Sequence, residues 1–437
     1  MTSSSLSRSR LSTTRRPSRR TLLAGVASGA ALAAVGTPVP VAAADSRDDG
    51  SGHRLPPPDA GALRAAIDDL AHPRASGAQL RVTGSAGRWY GTSGVSDPAT
   101  GRPVGLNDKV RAGSVTKAFV ATAALQLADE GRLRLESPVR HYLPGLLPER
   151  FGAITVAQLL DHTSGLPDHV GLPDRSTPEA VVRHRFDRWT PQQIVATFTG
   201  GELKFRPGSK QEYRGINYVL AALAIEQVTG RPYGVEIRNR ILRPLRLGHT
   251  SFPSANGNEV SIHGPHMHGC LEMSDGTLTD ITEFDMSSTY ADGEIVTSTG
   301  DLHRFLAALF SGALLPQRQL RRMFTLPPAH VRMSDGTPAR YSTGLQTATV
   351  NGVTLWGKTG QYYGYATGMF ATRDQQRRLV WSFTPVQLDA DQSPMAQRIA
   401  EAATLRQADS VGTVEAEPSA GTLSRRVPTG PGRLLCP

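Results

Sequence analysis

In a chain of 437 residues with a formal charge of +10, six arginines precede the first acidic residue, Asp45, and supply +6 of that total. The remaining +4 is too small to call for nucleic acid, and two cysteines are too few for a disulfide framework. Between the two ends, about 350 residues are enough for one large two-lobed unit with its own core.

Residues 1–44 read as a twin-arginine signal peptide. Arg19-Arg20 lies in Ser18-Arg19-Arg20-Thr21-Leu22-Leu23, a weakly apolar stretch runs from Leu22 to Val35, and Ala42-Ala43-Ala44 offers a small-residue cleavage site. The apolar run falls short of the ~18 residues needed to cross a bilayer, so no stable membrane anchor is expected after cleavage. The protein is therefore expected to be secreted, exported already folded. Residues 45–58 read as a linker and residues 409–437 as a disordered Gly/Pro/Ser/Thr-rich tail, with the domain proper at 59–408. Cys436 lies in that tail. Export permits a bridge to Cys270, and the sequence leaves that pairing open.

From Asp59 to Ala71, apolar Leu63, Ala66, Ile67 and Leu70 recur at helical spacing. Two short strands follow, Gln79–Thr83 and Trp89–Gly94, joined by a glycine-containing turn. Ser114 to Asp129 reads as a helix stopped by Gly131. It is apolar nearly all round and so should be buried between layers. In the middle of the chain Thr155 with Gln158, and Thr190 with Gln193, match capping boxes, the second with Pro191 at the first helical position. Ile216–Thr229 is a long apolar helix ended by Gly230, and Ser298 and Asp301 cap a helix over Leu302–Ser311. Strands return at Thr354–Lys358, Tyr365–Thr372 and Arg378–Thr384, before a last helix over Pro394–Ala408. This order predicts an α/β (α+β) fold. One antiparallel sheet forms from the N- and C-terminal segments, flanked by helices, and an all-helical lobe is inserted at about 135–300. Lys358 is expected on an edge strand facing that lobe, close to Ser114.

Only five lysines occur, so arginine carries almost all the other positive charge. The two cations differ chemically. Arginine does not surrender its proton in a protein, whereas a buried lysine can and so can serve as a base. Ser114-Val115-Thr116-Lys117 sets hydroxyl and amine one helical turn apart on one face, as a serine nucleophile needs from its base. Alone, Ser114 reads better as a helix N-cap beside a solvated Lys117. Lys358-Thr359-Gly360 decides between the two, since chance gives such a triplet roughly 0.05 times per chain, and Ser-x-x-Lys with a downstream Lys-Thr-Gly is a pair of β-lactamases and penicillin-binding proteins. No Gly-x-Ser-x-Gly elbow is present, which excludes the α/β-hydrolase arrangement.

Further stretches extend the likeness: Leu159-Leu160-Asp161-His162-Thr163-Ser164-Gly165-Leu166, and Asp292 through Leu302. From Asp59 to Ala408 the chain resembles the secreted serine D-alanyl-D-alanine carboxypeptidases and their relatives, the class C β-lactamases and serine esterases. The resemblance implies a β-lactamase/transpeptidase-like fold with its site between sheet and lobe. It implies that Ser114 is acylated, Lys117 eases removal of its proton, and Tyr213 of Glu212-Tyr213-Arg214 passes a proton to the leaving group. Lys358, Thr359 and Gly360 would hold the substrate carboxylate, and the backbone N–H groups of Ser114 and Gln361 would form the oxyanion hole. The implied substrate is a peptidoglycan stem peptide or a β-lactam, with no cofactor and no metal, acted on by a monomer. An esterase or β-lactam hydrolase on the same scaffold is the nearest alternative. A non-catalytic binder of cell-wall peptides would have no need of Ser114, Lys117 and Tyr213 together.

One position departs from the family pattern. Gly215 stands where the Tyr-x-Asn motif has Asn, whose amide donates to the substrate's own amide carbonyl and steadies the lysine. Asn217, two residues on, is the nearby side chain able to stand in. His263, His266, His268 and Cys270 crowd one short segment, but the glycines and prolines among them suit an irregular loop better than a metal site. His162 reads as a packing or loop-anchoring residue. Replacing Arg19 and Arg20 together by lysine should leave uncleaved precursor inside the cell, seen by immunoblot of cell fractions. Normal secretion of that double variant would indicate the general secretory route.

Overall fold

Alternation of side chains to the two faces of a strand decides where the core sits, because here both faces are covered. A computed structural model describes residues 54–405; the expected leader, most of the linker, the tail and Cys436 lie outside them. Helix α1 (Ala60–Asp68) starts at the N-cap Asp59, whose side chain accepts from Ala62 N. Strands β1 (Ala75–Thr83), β2 (Trp89–Asp97) and β3 (Arg102–Pro103) follow, then α2 (Thr116–Asp129), α3 (Ile216–Thr229) and α4 (Thr299–Phe310). The chain returns through β4 (Gln346–Val350), β5 (Val353–Tyr362), β6 (Tyr365–Ala371) and β7 (Arg378–Pro385) to α5 (Ser393–Ala403).

These strands form one seven-stranded antiparallel sheet in the order β4-β5-β6-β7-β1-β2-β3, which joins the two ends of the chain through β7 and β1. Neighbouring residues on β6 and β7 face opposite cores. Phe370, Leu379 and Trp381 pack with Leu63 and Ile67 of α1 and Met395 and Ile399 of α5. Met369 and Val380 face α2, α3 and α4. Central strands buried on both sides therefore read as continuous apolar runs.

The inserted segment is mainly helical, and both expected capping boxes form, at Thr155/Gln158 and Thr190/Gln193. It also carries a two-stranded ribbon, Cys270–Glu272 with Leu278–Asp280, turned at Gly276 with φ 82°, so the lobe is not wholly helical. Among the described residues, no helix is long and apolar enough to cross a membrane.

Two expectations need correction. The Ser114 segment opens as a 3-10 turn, Gly113–Val115, and the α-helix starts at Thr116. Gly113 sits at φ 50°, a left-handed value incompatible with a continuous α-helix. Nor is β5 an edge strand, because β4 pairs outside it. The connecting turn is Asn351-Gly352, both at positive φ (51° and 71°), the two-residue hairpin that an Asn-Gly pair signals. Even so, the pairing with β4 stops at Gln346–Gly357. From Lys358 onward that side of β5 is free to face the Ser114 turn, so Lys358 keeps its expected place close to Ser114 in a strand that is otherwise internal.

Helix α2 holds its place by packing. Phe119 is fully buried, stacks on Phe305 of α4 with ring centroids 3.8 Å apart and meets Phe252 edge-on at 5.9 Å. Phe119→Ala should cost about 3–5 kcal/mol in denaturant unfolding. A loss below about 1 kcal/mol would show that the stack does not hold the helix.

Candidate active site

Two glycines let backbone touch backbone at the site. A Cβ on Gly360 would lie 1.9 Å from Ala112 O and 2.9 Å from Ser114 N, and one on Gly113 would lie 2.4 Å from Gln361 O. The free side of β5 is thereby pressed onto the turn that carries Ser114. This brings the backbone of Gln361 beside that of Ser114, the pair able to form an oxyanion hole.

Lys117, on the first turn of α2, is 1% exposed. Its Nζ lies 3.1 Å from Ser114 Oγ and donates to the backbone carbonyl of Asp292 at 2.6 Å. Burial lowers its pKa, opposed by the Asp292 carboxylate, whose Oδ2 is 4.0 Å away. A lysine biased towards its neutral form, within hydrogen-bond reach of a serine hydroxyl, can take that proton.

Tyr213 lies between the two lysines, its ring 5.1 Å from Lys117 Nζ and 4.9 Å from Lys358 Nζ. Its hydroxyl is buried, and among the described residues no group lies in full hydrogen-bonding geometry to it, with the Ser114 hydroxyl nearby. Burial pushes its pKa up, Asp292 adds to the shift and the nearby Ser114 hydroxyl opposes it, so the phenol is a proton carrier in its neutral form. Lys358 is 3% exposed, and its pKa is held well below that of a free lysine, first by burial and then by Lys117. Its Nζ donates to Gln346 Oε1 at 3.2 Å and Thr359 O at 2.8 Å, while Thr359 Oγ1 donates to the same Gln346 oxygen at 3.1 Å. Ser114, Tyr213, Lys358, Thr359, Gly360 and Gln361 line one cavity.

The expected histidine anchor is seen. His162, 2% exposed at φ 64°, accepts on Nδ1 from Arg214 N at 3.2 Å and Asn217 Nδ2 at 3.1 Å, and its ring centroid is 4.4 Å from that of Tyr213. Burial, then Lys117 and Lys358, lower its pKa well below the usual value, which keeps it an acceptor. Asn217 is fully buried and engaged in this network through both ends of its amide, with Ser164 Oγ donating to its Oδ1 at 2.7 Å. It therefore does not replace the amide missing at Gly215. That place is taken by Asp292, whose Oδ2 lies 1.8 Å from where a Cβ on Gly215 would stand. Asp292, read in the sequence only as the start of a stretch resembling the family, and Gln346 are site residues to which sequence reasoning gave no role. For Asp292 the signal was Gly215 itself, since a deleted side chain leaves room for another. Gln346, in a short polar strand, gives none.

The histidine-rich segment folds as a loop. His263 pairs with Glu259 at 2.5 Å, His268 with Asp280 at 2.6 Å, and His266 stacks on His268. Among the described residues no His, Cys, Asp or Glu group is placed to hold a metal ion.

Lys117→Arg should abolish acylation of Ser114 although the charge is kept. In the native protein the acylation rate should fall as pH drops through the lowered Lys117 pKa, because protonation removes the base. Labelling by a fluorophosphonate across pH measures both, and undiminished labelling of the arginine variant would exclude Lys117 as the base.

Three similarities place this geometry among known proteins. A D-stereospecific amidohydrolase from Streptomyces sp. superposes with a TM-score of 0.69 at 34% identity, over 79% of this chain and 98% of that one. The D-amino acid amidase of Ochrobactrum anthropi SV3, complexed with D-phenylalanine, gives 0.64 at 26% identity over 78% and 98%. A Bacillus subtilis (strain 168) protein designated penicillin-binding protein PbpX is 32% identical over 214 residues, 49% of each chain, so this chain spans about half the length of that relative. The Beta-lactamase family profile matches residues 63–404. With Ser114, Lys117 and Tyr213 gathered on the matched fold, the chain belongs to the Beta-lactamase family.

Proposed function

We propose that this protein hydrolyses amide bonds whose acyl side is a D-amino-acid residue, through an ester on Ser114. The observation that carries the reading is buried Lys117, whose Nζ lies 3.1 Å from Ser114 Oγ. Neutral Lys117 takes the Ser114 proton as Oγ attacks the carbonyl carbon. The tetrahedral oxyanion lies between the backbone N–H groups of Ser114 and Gln361, where one such donor is worth roughly 3–4 kcal/mol. Collapse expels the amine, which receives a proton by way of Tyr213, and water then cleaves the ester. The choice of a D-acyl group is supported by likeness to two enzymes described as D-stereospecific or as acting on D-amino acid amides.

A second reading within this chemistry is the secreted serine-type D-Ala-D-Ala carboxypeptidase, removing the terminal D-alanine of peptidoglycan stem peptides. Lys358-Thr359-Gly360 on the cavity wall supports it, because a cation and a hydroxyl suit a free carboxylate. The buried Lys358 Nζ, engaged with Gln346, weighs against direct contact with that carboxylate. Hydrolysis of β-lactams or esters would use the same nucleophile.

Incubation with D- and L-phenylalanine p-nitroanilide should show preference for the D-enantiomer, and Ser114→Ala should abolish both turnover and fluorophosphonate labelling. Equal rates for the two enantiomers would refute the D-specific reading. Release of D-alanine from a bis-acylated Lys-D-Ala-D-Ala peptide would select the carboxypeptidase.

A further inference from the structure

Asp292 is the unused charged group of the site. Its carboxylate is 22% exposed, and among the described residues nothing donates a hydrogen bond to it; the nearest cation is Lys117 Nζ at 4.0 Å. Its position is fixed from several directions. Asp292 N donates to Thr289 O at 3.1 Å, Gly293 N to the same oxygen at 3.0 Å, and Asp292 O accepts from Lys117. Next along the chain, buried Glu294 accepts from Ala291 N at 3.1 Å and from Tyr233, and Ile295 N donates to Thr116 Oγ1 at 3.0 Å. The segment that carries Asp292 is thus tied to the helix that carries Lys117.

Its place identifies a ligand chemistry. The carboxylate fills the volume where a side chain at position 215 would begin, two residues after Tyr213 and beside the lysine that touches Ser114. An amide there offers N–H to a carbonyl on the substrate's nitrogen. A carboxylate is acceptor-only, so it repels such a carbonyl and attracts N–H, most strongly a charged ammonium. An α-nitrogen lies about 2.5 Å from the carbonyl carbon it flanks, so an ammonium there is carried close to Asp292 when Ser114 attacks. We infer that Asp292 binds the free α-ammonium of the acyl residue, so that the substrates are amides or peptides with an unblocked N-terminal D-residue, while N-acylated ones are disfavoured. This rests on the acyl-enzyme reading above and adds to it the state of the nitrogen.

The test uses four anilides: D- and L-phenylalanine p-nitroanilide, each with a free and with an acetylated amine. The free-amine D-substrate should exceed its acetylated form in kcat/KM by roughly ten- to a hundredfold, the usual worth of a hydrogen bond to a charged group. Asp292→Asn should collapse that ratio towards one. Equal kcat/KM for free and acetylated forms in the native protein overturns the inference, and needs no variant. So does an Asp292→Asn variant that loses the same factor on both, since the residue then acts only through Lys117. Preference for the free amine without preference for D over L keeps the inference and removes the D-specific reading. Turnover of none of the four overturns both.

Discussion

Everything at this site depends on one close approach, that of β5 to the Ser114 turn. Side chains at 113 and 360 would each collide with the opposite backbone, so the contact exists only as glycine against main chain. It fixes where an oxyanion can be held, and places Lys358 and Thr359 on the cavity wall. The approach needs a free strand side, which the early end of β4 at Gln346 supplies. Gln346 then has a second use, because its amide oxygen gathers both Lys358 Nζ and Thr359 Oγ1. A strand that ends in register with the motif thus both leaves its side of β5 unpaired and braces it.

The electrostatics follow from putting two lysines and a tyrosine in one desolvated space. Each lysine is pushed towards its neutral form by burial, and Lys117 pushes Lys358 further. The tyrosine between them is pushed the opposite way, towards holding its proton. Burial is thus the largest influence on all three groups, and it acts on the two amines and the phenol in opposite directions. His162 completes the arrangement from behind Tyr213. Its Nδ1 is saturated by Arg214 N and Asn217, so it fixes the tyrosine segment rather than competing for protons.

Much of this was legible in the sequence because it rests on local patterns. Both capping boxes and the long apolar α3 are read from local residue patterns, and Ser114 with Lys117 and the Lys358 triplet from a pair of motifs known together. What was not legible depended on distant segments. β4 went unread because its few residues alternate weakly, although Asn351-Gly352 announced the hairpin. The turn at Gly113 could be known only from the strand that presses on it. Asp292 opens a stretch read as part of the family likeness, and Gly215 signalled a vacancy, but the two are distant in sequence, so only the fold could show that one fills the other.

On the proposed reading, the pairing of Gly215 with Asp292 lets selectivity change without disturbing Lys117. Asp292 serves Lys117 chiefly through its backbone oxygen, at 2.6 Å, whereas its carboxylate stands 4.0 Å away and is turned to the space left by Gly215. The anchor is main chain, so it persists whatever side chain is present. The charge is side chain, so it can be exchanged. An amide carried on the tyrosine segment would have to serve the lysine and the substrate with one group. Splitting those duties between a carbonyl and a carboxylate of one residue leaves the catalytic distance set by the fold. The ligand's charge is then set by a single replaceable group.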